Sequence, residues 1–123
     1  MVHVNSFVRV IDNSGVFVIK CIKIYGKAPN SVGVVGDTVL CVIKHCKSNI
    51  SIKYGDFSKG VIVRSKLRVK RSSSIQIFSD FEAIVLINDR GLPVGTRIRG
   101  FVFLELAKKA VFARLLIIAA GVI

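Results

Sequence analysis

Apolar and polar positions alternate in short runs through most of the chain, and turn residues separate the runs. Within residues 2–11, Val8 and Val10 flank Arg9, the period of two that sends neighbouring side chains to opposite faces of a strand. Asp12-Asn13-Ser14-Gly15 then reads as a turn, because Asp and Asn bond their own backbone and Gly15 tolerates positive φ. Val16–Tyr25 sets Val16, Val18, Lys20, Ile22 and Ile24 against Phe17, Ile19, Cys21 and Lys23. Both sets are mostly apolar, as expected of a strand curled into a barrel whose outer side is partly covered. Two such strands about a tight turn predict a hairpin. Gly26–Gly36 reads as a loop, Gly36-Asp37 leads into a third strand over Thr38–Ile43, and Lys44–Lys53 reads as a basic loop. Tyr54-Gly55-Asp56-Phe57 is a second Gly-Asp turn.

Gly60–Phe78 changes character midway. Val61-Ile62-Val63 is a buried apolar run, and Arg64, Lys66, Arg68 and Lys70 then fall at every second position, with Arg71 following. In an extended chain this predicts a two-faced arm, cations on one side and Ser65, Leu67 and Val69 on the other. Ser72-Ser73-Ser74 offers a turn and Ile75–Phe78 a return strand, so a basic ribbon is expected over about residues 64–78. Ala83–Ile87 reads as a central strand, Asn88-Asp89-Arg90-Gly91 as a turn, and Pro93–Gly100 is closely punctuated by Gly and Pro. Only after Phe103 does the period become helical. Glu105, Lys108 and Lys109 share one face, with Glu105 and Lys109 in the favourable i,i+4 order, and Leu104, Val111 and Leu115 another. This predicts one or two short helices within 104–115 and an ambiguous apolar end over Leu116–Ala119. The expected fold is mainly β: one domain over 1–123, a small closed β-barrel with a helical appendage at about 104–119.

Charge sharpens this outline. Of 123 residues, 19 are basic and 7 acidic, giving a net charge of +12 and a pI near 10.2, while 52% are hydrophobic. A domain so charged repels itself unless a polyanion neutralises it. Nucleic acid is the first candidate, an anionic membrane surface the competitor. Ala110–Ile123 is apolar but only 14 residues long and holds Arg114, too short for a span of about 20. It is expected to pack against the domain. Met1-Val2-His3-Val4 runs straight into strand-like sequence, without a presequence pattern. Cys21, Cys41 and Cys46 form no CxxC pair, and His45 beside Cys46 completes no zinc spacing. Neither metal nor cofactor is expected, and the lack of a disulfide framework argues against secretion.

No convergent catalytic set stands out. Asp12, Asp37, Asp56 and Asp89 occupy turns, and His3 and His45 sit in no nucleophile motif. There is no GxxxxGK[ST] or GxGxxG, and Val32-Gly33-Val34-Val35-Gly36 lacks the spacing of a phosphate cradle. The basic residues instead gather in loop 44–53, in arm 64–71 and at Arg97 and Arg99. Lys and Arg there would contact phosphates, giving affinity without reading sequence. Phe78 and Phe81 are expected in the core, which disfavours a single-strand stacking platform and favours shape recognition of folded RNA. The candidate RNA contacts are Arg64, Lys66, Arg68, Lys70 and Arg71 first, then Lys44, Lys47, Lys53, Arg97 and Arg99. The alternative is a free-standing barrel that docks a protein or an anionic membrane through its apolar tail.

Several ordered motifs resemble the universal large-subunit ribosomal protein fourteen family, in its bacterial and organellar form. They are Asp12-Asn13-Ser14-Gly15, Cys21-Ile22-Lys23-Ile24, Val35-Gly36-Asp37, Lys53-Tyr54-Gly55-Asp56, Gly60–Lys66, Pro93–Gly100 and Glu105-Leu106. Their order and spacing span essentially the whole chain. Phe101 stands where the family usually has Pro, Ala107 where it usually has Arg, Ser72-Ser73-Ser74 at the arm tip, and Phe81-Glu82-Ala83 before the central strand. The resemblance implies a five-stranded barrel with a projecting β-ribbon and short C-terminal helices. It implies a non-enzymatic constituent of the large subunit that binds large-subunit rRNA, reaches small-subunit rRNA in an intersubunit bridge and pairs with a neighbouring large-subunit protein. A silencing factor docks on family members, and Thr96, Arg97, Lys108 and Lys109 are its expected footprint here. No membrane partner is implied. The Ile-, Phe- and Ser-rich composition and the lack of a presequence suit a mitochondrial ribosome, with bacterial cytoplasm or plastid as alternatives.

Overall fold

The described residues, 2–48, 50–72, 74–109 and 112–123 of a computed structural model, form nine strands, one 3₁₀ helix and one α-helix. Met1, Ser73 of the arm's turn and Val111 of the helical face lie outside them, as do Asn49 and Ala110. β1 (Phe7–Val10), β2 (Val16–Ile24), β3 (Thr38–Cys46), β4 (Phe57–Arg64) and β7 (Ala83–Ile87) close a five-stranded barrel. All pairs are antiparallel except the closing one, where β1 runs parallel to β7 with Arg9 opposite Ala83 and Val10 opposite Ile84. β5 (Val69–Lys70) and β6 (Gln76–Ile77) form the ribbon. β8 (Ile98–Val102), the 3₁₀ helix Leu104–Lys108, α1 (Ala113–Ile118) and β9 (Ala119–Val122) complete the chain.

Two apolar cores share one wall. The barrel interior holds Val8, Val10, Val16, Ile19, Cys21, Ile24, Val39, Cys41, Ile43, Ile62, Ile84 and Leu86. The outer face of β4 and β7 presents Val61, Val63, Ala83, Val85 and Ile87 to a second core, closed by Ile98, Val102, Leu106, Phe112 and Leu115. This is why Val61-Ile62-Val63 and Ala83–Ile87 are continuously apolar: alternate side chains enter different cores, and all are buried. The two-sided apolar pattern of β2 has another cause. Register shifts at Val16/Val18, Val18/Ile19 and Cys21/Lys23 insert bulges, so the inward set is Val16, Ile19, Cys21 and Ile24 rather than every second residue.

Several boundaries differ from expectation. The third strand continues beyond Ile43 to Cys46, because His45 and Cys46 pair with Val18 and Val16; Lys44 is therefore a strand residue, not a loop residue. The arm is not one continuous strand. β4 ends at Arg64, and the next amides leave the ladder: Lys66 N–H donates to Glu82 Oε1 at 3.1 Å and Leu67 N–H to Ser65 Oγ at 3.0 Å. The ribbon is therefore only two residues deep on each side, over 69–77 rather than 64–78. Its alternation survives, since Lys66, Arg68 and Lys70 are exposed, Leu67 and Val69 half-buried and Ser65 buried.

The appendage also departs from the simple helical reading. Residues 98–100, the end of the closely punctuated Pro93–Gly100 segment, already belong to β8; of the ambiguous end, residues 116–118 continue α1 and Ala119 opens β9, parallel to β8 with Phe101 opposite Gly121. Leu104–Lys108 is a 3₁₀ helix, whose tighter winding takes Glu105 and Lys109 out of i,i+4 register. Leu104 is 51% exposed, and the buried face is Leu106, Phe112 and Leu115. Leu106→Ala is expected to cost about 2–5 kcal/mol of stability and Leu104→Ala no more than about 0.5 kcal/mol. Urea unfolding of the two variants measures this, and equal losses would contradict the assigned face.

Candidate nucleic-acid interface

The basic residues divide by what holds them. Arg64, at the end of β4, reaches across to β8, donating from Nε to Phe101 O at 2.5 Å and from Nη2 to Arg99 O at 2.7 Å. Its guanidinium also lies 5.2 Å from the Phe81 ring centre. Gly100 between those carbonyls has φ of 74°, and a Cβ there would run into the Arg64 guanidinium. Burial lowers the Arg64 pKa from its ordinary value, with the Asp80 charge opposing. Arg71 is similarly engaged. It donates from Nε to Glu105 Oε1 at 2.9 Å and from Nη2 to Glu105 Oε2 at 3.3 Å and to Ile123 O at 2.6 Å. These two arginines fasten the base and the tip-side strand of the ribbon to the appendage.

The other arm cations face solvent. Lys66 and Lys70 have no side-chain partner among the described residues, and Arg68 makes only a long 3.4 Å bond to Gln76 and a contact with Phe78. Lys47 and Lys53 are exposed beyond β3, and their backbone amides are used internally, by Gly15 O and Asp56 Oδ2. Lys44 points outward from β3 with its amine 5.4 Å from the Tyr54 ring centre.

Arg97 and Arg99 owe their position to the first turn of the chain. Asn13 Oδ1 accepts the amides of Thr96 and Arg97 at 2.8 and 3.1 Å, and Asn13 Nδ2 donates to Thr96 Oγ1 at 2.7 Å. A Cβ on Gly95 would come within 2.6 Å of Asn13 Oδ1, so only glycine allows this approach. Asp12, buried, accepts from the Ser14 amide and hydroxyl through Oδ1 and from the Leu86 amide of β7 through Oδ2. The Asp12-Asn13 pair thus ties the barrel wall to the turn that presents Thr96, Arg97 and Arg99 outward. Lys108 lines a cleft with the ribbon residues Val69–Ser72, whereas the Lys109 amine turns to Gly36 O at 3.2 Å. The two lysines therefore serve different parts of the surface.

Periodicity alone does not reveal a further basic face. Register places Phe7, Lys20, Val42 and Phe57 in one row across β1 to β4, and Lys23, Leu40 and Lys59 in another. Their amines lean on rings: Lys20 lies 5.9 Å from the Phe7 centre, and Lys23 and Lys59 lie 5.4 and 5.7 Å from that of Tyr25. Lys20 and Lys23 are visible in the sequence as polar positions in an apolar strand; only the bulges bring them to one side. Aromatics are also more available than expected. Phe78 is 58% exposed rather than core, and Phe81 is half-buried between Arg9 and Arg64.

The other turn carboxylates make contacts within the fold. Asp37 accepts the Val34 amide and pairs with Lys27 at 2.8 Å, Asp56 accepts the Lys53 amide, and Asp89 pairs with Lys59 at 3.4 Å. Among the described residues no three His, Cys, Asp or Glu converge to hold a metal ion. Cys21 and Cys41 face each other inside the barrel; burial, with Cys21 adding, pushes the Cys41 thiol up to about 12, so it stays protonated. No helix among the described residues is long and apolar enough to cross a membrane.

Burial alone would raise the Glu105 pKa, but hydrogen bonds from Arg71 and its own backbone, with the charges of Arg71 and Lys108, outweigh it and hold the carboxyl below its ordinary 4.5. A depressed native pKa contributes stability that is complete above the unfolded-state range and is lost as pH falls through the native value. The stability difference between the wild type and Arg71→Gln should therefore be largest above about pH 5 and shrink as pH falls below 4.5. Urea titrations from pH 3 to pH 7 measure it, and a pH-independent difference would remove the ion pair as its cause.

A family model described as Ribosomal protein L14p/L23e matches residues 1–123. The large ribosomal subunit protein uL14 of Petrotoga mobilis is 40% identical over 109 residues, covering 89% of this chain and 89% of its own length. The family match runs through the barrel, the Asp12–Gly15 turn, the ribbon and the turn that carries Arg97. The chain belongs to the L14p/L23e family of ribosomal proteins and is a structural constituent of the large ribosomal subunit.

Proposed function

We propose that the chain holds large-subunit rRNA through the exposed cations of the ribbon and of the two loops that flank the Asp12–Gly15 turn at one end of the barrel. A large-subunit protein has rRNA and neighbouring ribosomal proteins as its surroundings. The observation that carries the reading is the division of the arm: Arg64 and Arg71 are fixed to the appendage, while Lys66, Arg68 and Lys70 are left exposed. Charges presented this way suit phosphates of a folded RNA, for which position and shape matter more than base identity. Lys44, Lys47, Lys53, Arg97 and Arg99 extend the contact, and Arg64 and Arg71 add their charge to the field while setting the ribbon's direction. The rigid barrel then fixes RNA helices relative to one another.

The finer assignments rest on the family resemblance. The ribbon side would pair with a neighbouring large-subunit protein, and the protein would reach small-subunit rRNA in an intersubunit bridge. A silencing factor would dock at Thr96 and Arg97, with Lys109 contributing through the loop around Gly36 and Lys108 from the ribbon side. The Ile-, Phe- and Ser-rich composition favours a mitochondrial ribosome over a plastid or bacterial one, which organelle fractionation of the source cells would decide.

Replacing Lys66, Arg68 and Lys70 together by Gln should weaken rRNA binding and flatten the slope of log K against log salt by about 0.9 for each phosphate that is no longer neutralised. Stability in urea should stay within about 0.5 kcal/mol per site, because these are exposed positions. Filter binding to the large-subunit rRNA at several salt concentrations reads the slope. An unchanged slope would exclude the ribbon as an RNA-binding element.

A further inference from the structure

A cleft of about 540 Å³ opens between the start of β1 and the segment that joins β6 to β7. Phe7 and Arg9 form one wall; Lys66, Phe81 and Glu82 form the other. Asn5, at φ of 72°, turns the chain at its edge, and its amide is tied to Cys21 O at 2.7 Å, so that wall is preformed. The charges here are unusually placed. Arg9 and Arg64 both lie against the Phe81 ring, 5.0 and 5.2 Å from its centre. Lys66 stands beside them, and neither Arg9 nor Lys66 has a side-chain hydrogen bond or ion pair among the described residues. Cations gathered about one ring repel each other, and an anion entering the cleft would relieve that repulsion.

A bare phosphate would satisfy the cations and leave the rest of the cleft unused. Phe7, 66% exposed at the rim, offers a ring to which a flat ligand can stack. Glu82 closes the wall beside Lys66, its Oε1 accepting the Lys66 amide. The fitting ligand has one anionic part and one flat, neutral part. We infer that this cleft captures a single unstacked nucleotide of the large-subunit rRNA, its phosphate against Arg9 and Lys66 and its base on Phe7. The inference rests on the rRNA-binding reading above and adds a contact with one base to a surface otherwise suited to backbone recognition. Stacking of a base on an aromatic side chain is tolerant of base identity and substantial in effect, so the site selects an extruded nucleotide rather than a particular base.

The test uses assembled large subunits carrying a benzophenone-bearing phenylalanine at position 7, with the same group at position 47 or 97 as separate arms. Irradiation should join position 7 to one rRNA nucleotide. In subunits carrying Arg9→Gln, that nucleotide should become several-fold more reactive to base-modifying reagents, while the protein remains in the subunit. The Arg9 side chain is exposed and, among the described residues, makes no hydrogen bond or ion pair beyond its contact with the Phe81 ring, so its replacement leaves the barrel intact and supplies the readout even if position 7 tolerates no bulky group. A position-7 adduct with a ribosomal protein would overturn the inference, as would Arg9→Gln subunits in which no nucleotide changes reactivity. RNA adducts from positions 47 or 97 with none from position 7 would overturn the nucleotide site alone. No RNA adduct from any of the three positions would overturn the rRNA-binding reading with it.

Discussion

Burial of β4 and β7 on both faces is the constraint on which the rest of the structure depends. Val61, Ile62 and Val63, with Ala83 through Ile87, have almost no exposure. Each fully buried aliphatic side chain contributes about 1.5–3 kcal/mol, and this wall supplies them to two cores at once. A barrel of five short strands has a narrow interior. The outer core recruits the C-terminal segment, so Leu106, Phe112 and Leu115 serve the barrel as much as the barrel serves them. A chain with a net charge of +12 needs such a core, because its own charges oppose compaction. Among the described residues only Asp12 and Ser65 are polar and buried, and Asp12 is bonded to β7 itself.

The wall also decides what the cations can do. At its end the chain must leave the barrel, and there it meets the two carbonyls that flank Gly100. A planar guanidinium can bridge two acceptors at fixed spacing, which an ammonium cannot do with the same geometry. Arg64 therefore sets the angle at which the ribbon departs, and Arg71 repeats the device against Glu105 and Ile123. With the ribbon held at two points, Lys66, Arg68 and Lys70 are presented at little cost in conformational freedom beyond that of their own side chains. On the proposed rRNA-binding reading, affinity for a polyanion would come from positioned charges rather than from charges that must first be ordered.

The barrel was legible from the period-two runs and Gly-Asp turns, and the central strand Ala83–Ile87 falls where expected. The exposed side of the arm was legible too, because alternation in exposure survives even where the strand does not. What could not be read depends on partners distant in sequence. The bulges in β2 exist only as pairing with β3, so they hid the face carrying Lys20 and Lys23. The parallel pairing that turns residues 119–122 into a strand needs β8 beside it. Arg64 looked like any other cation of the arm until Phe101 and Arg99 arrived 35 and more residues later. Periodicity reports which side of a backbone is apolar; it does not report which polar group will find a carbonyl.

The same distinction explains how the fold absorbs departures from the family's usual residues. Phe101 replaces a usual proline, yet Arg64 bonds its carbonyl, a group that either residue provides. What that bond requires is the left-handed backbone and open space at Gly100, and both are kept. Unlike proline, Phe101 also carries an amide hydrogen and a side chain that lies over Gly121 of the adjacent strand, covering backbone that glycine leaves bare. Ala107, in place of a usual arginine, sits exposed on the 3₁₀ helix, where nothing in the packing depends on it. A bond accepted by a main-chain carbonyl does not constrain the side chain of the accepting residue, as at Phe101. A bond made by a side chain through a close approach to glycine constrains both residues, as at Asn13 with Gly95 and at Arg64 with Gly100.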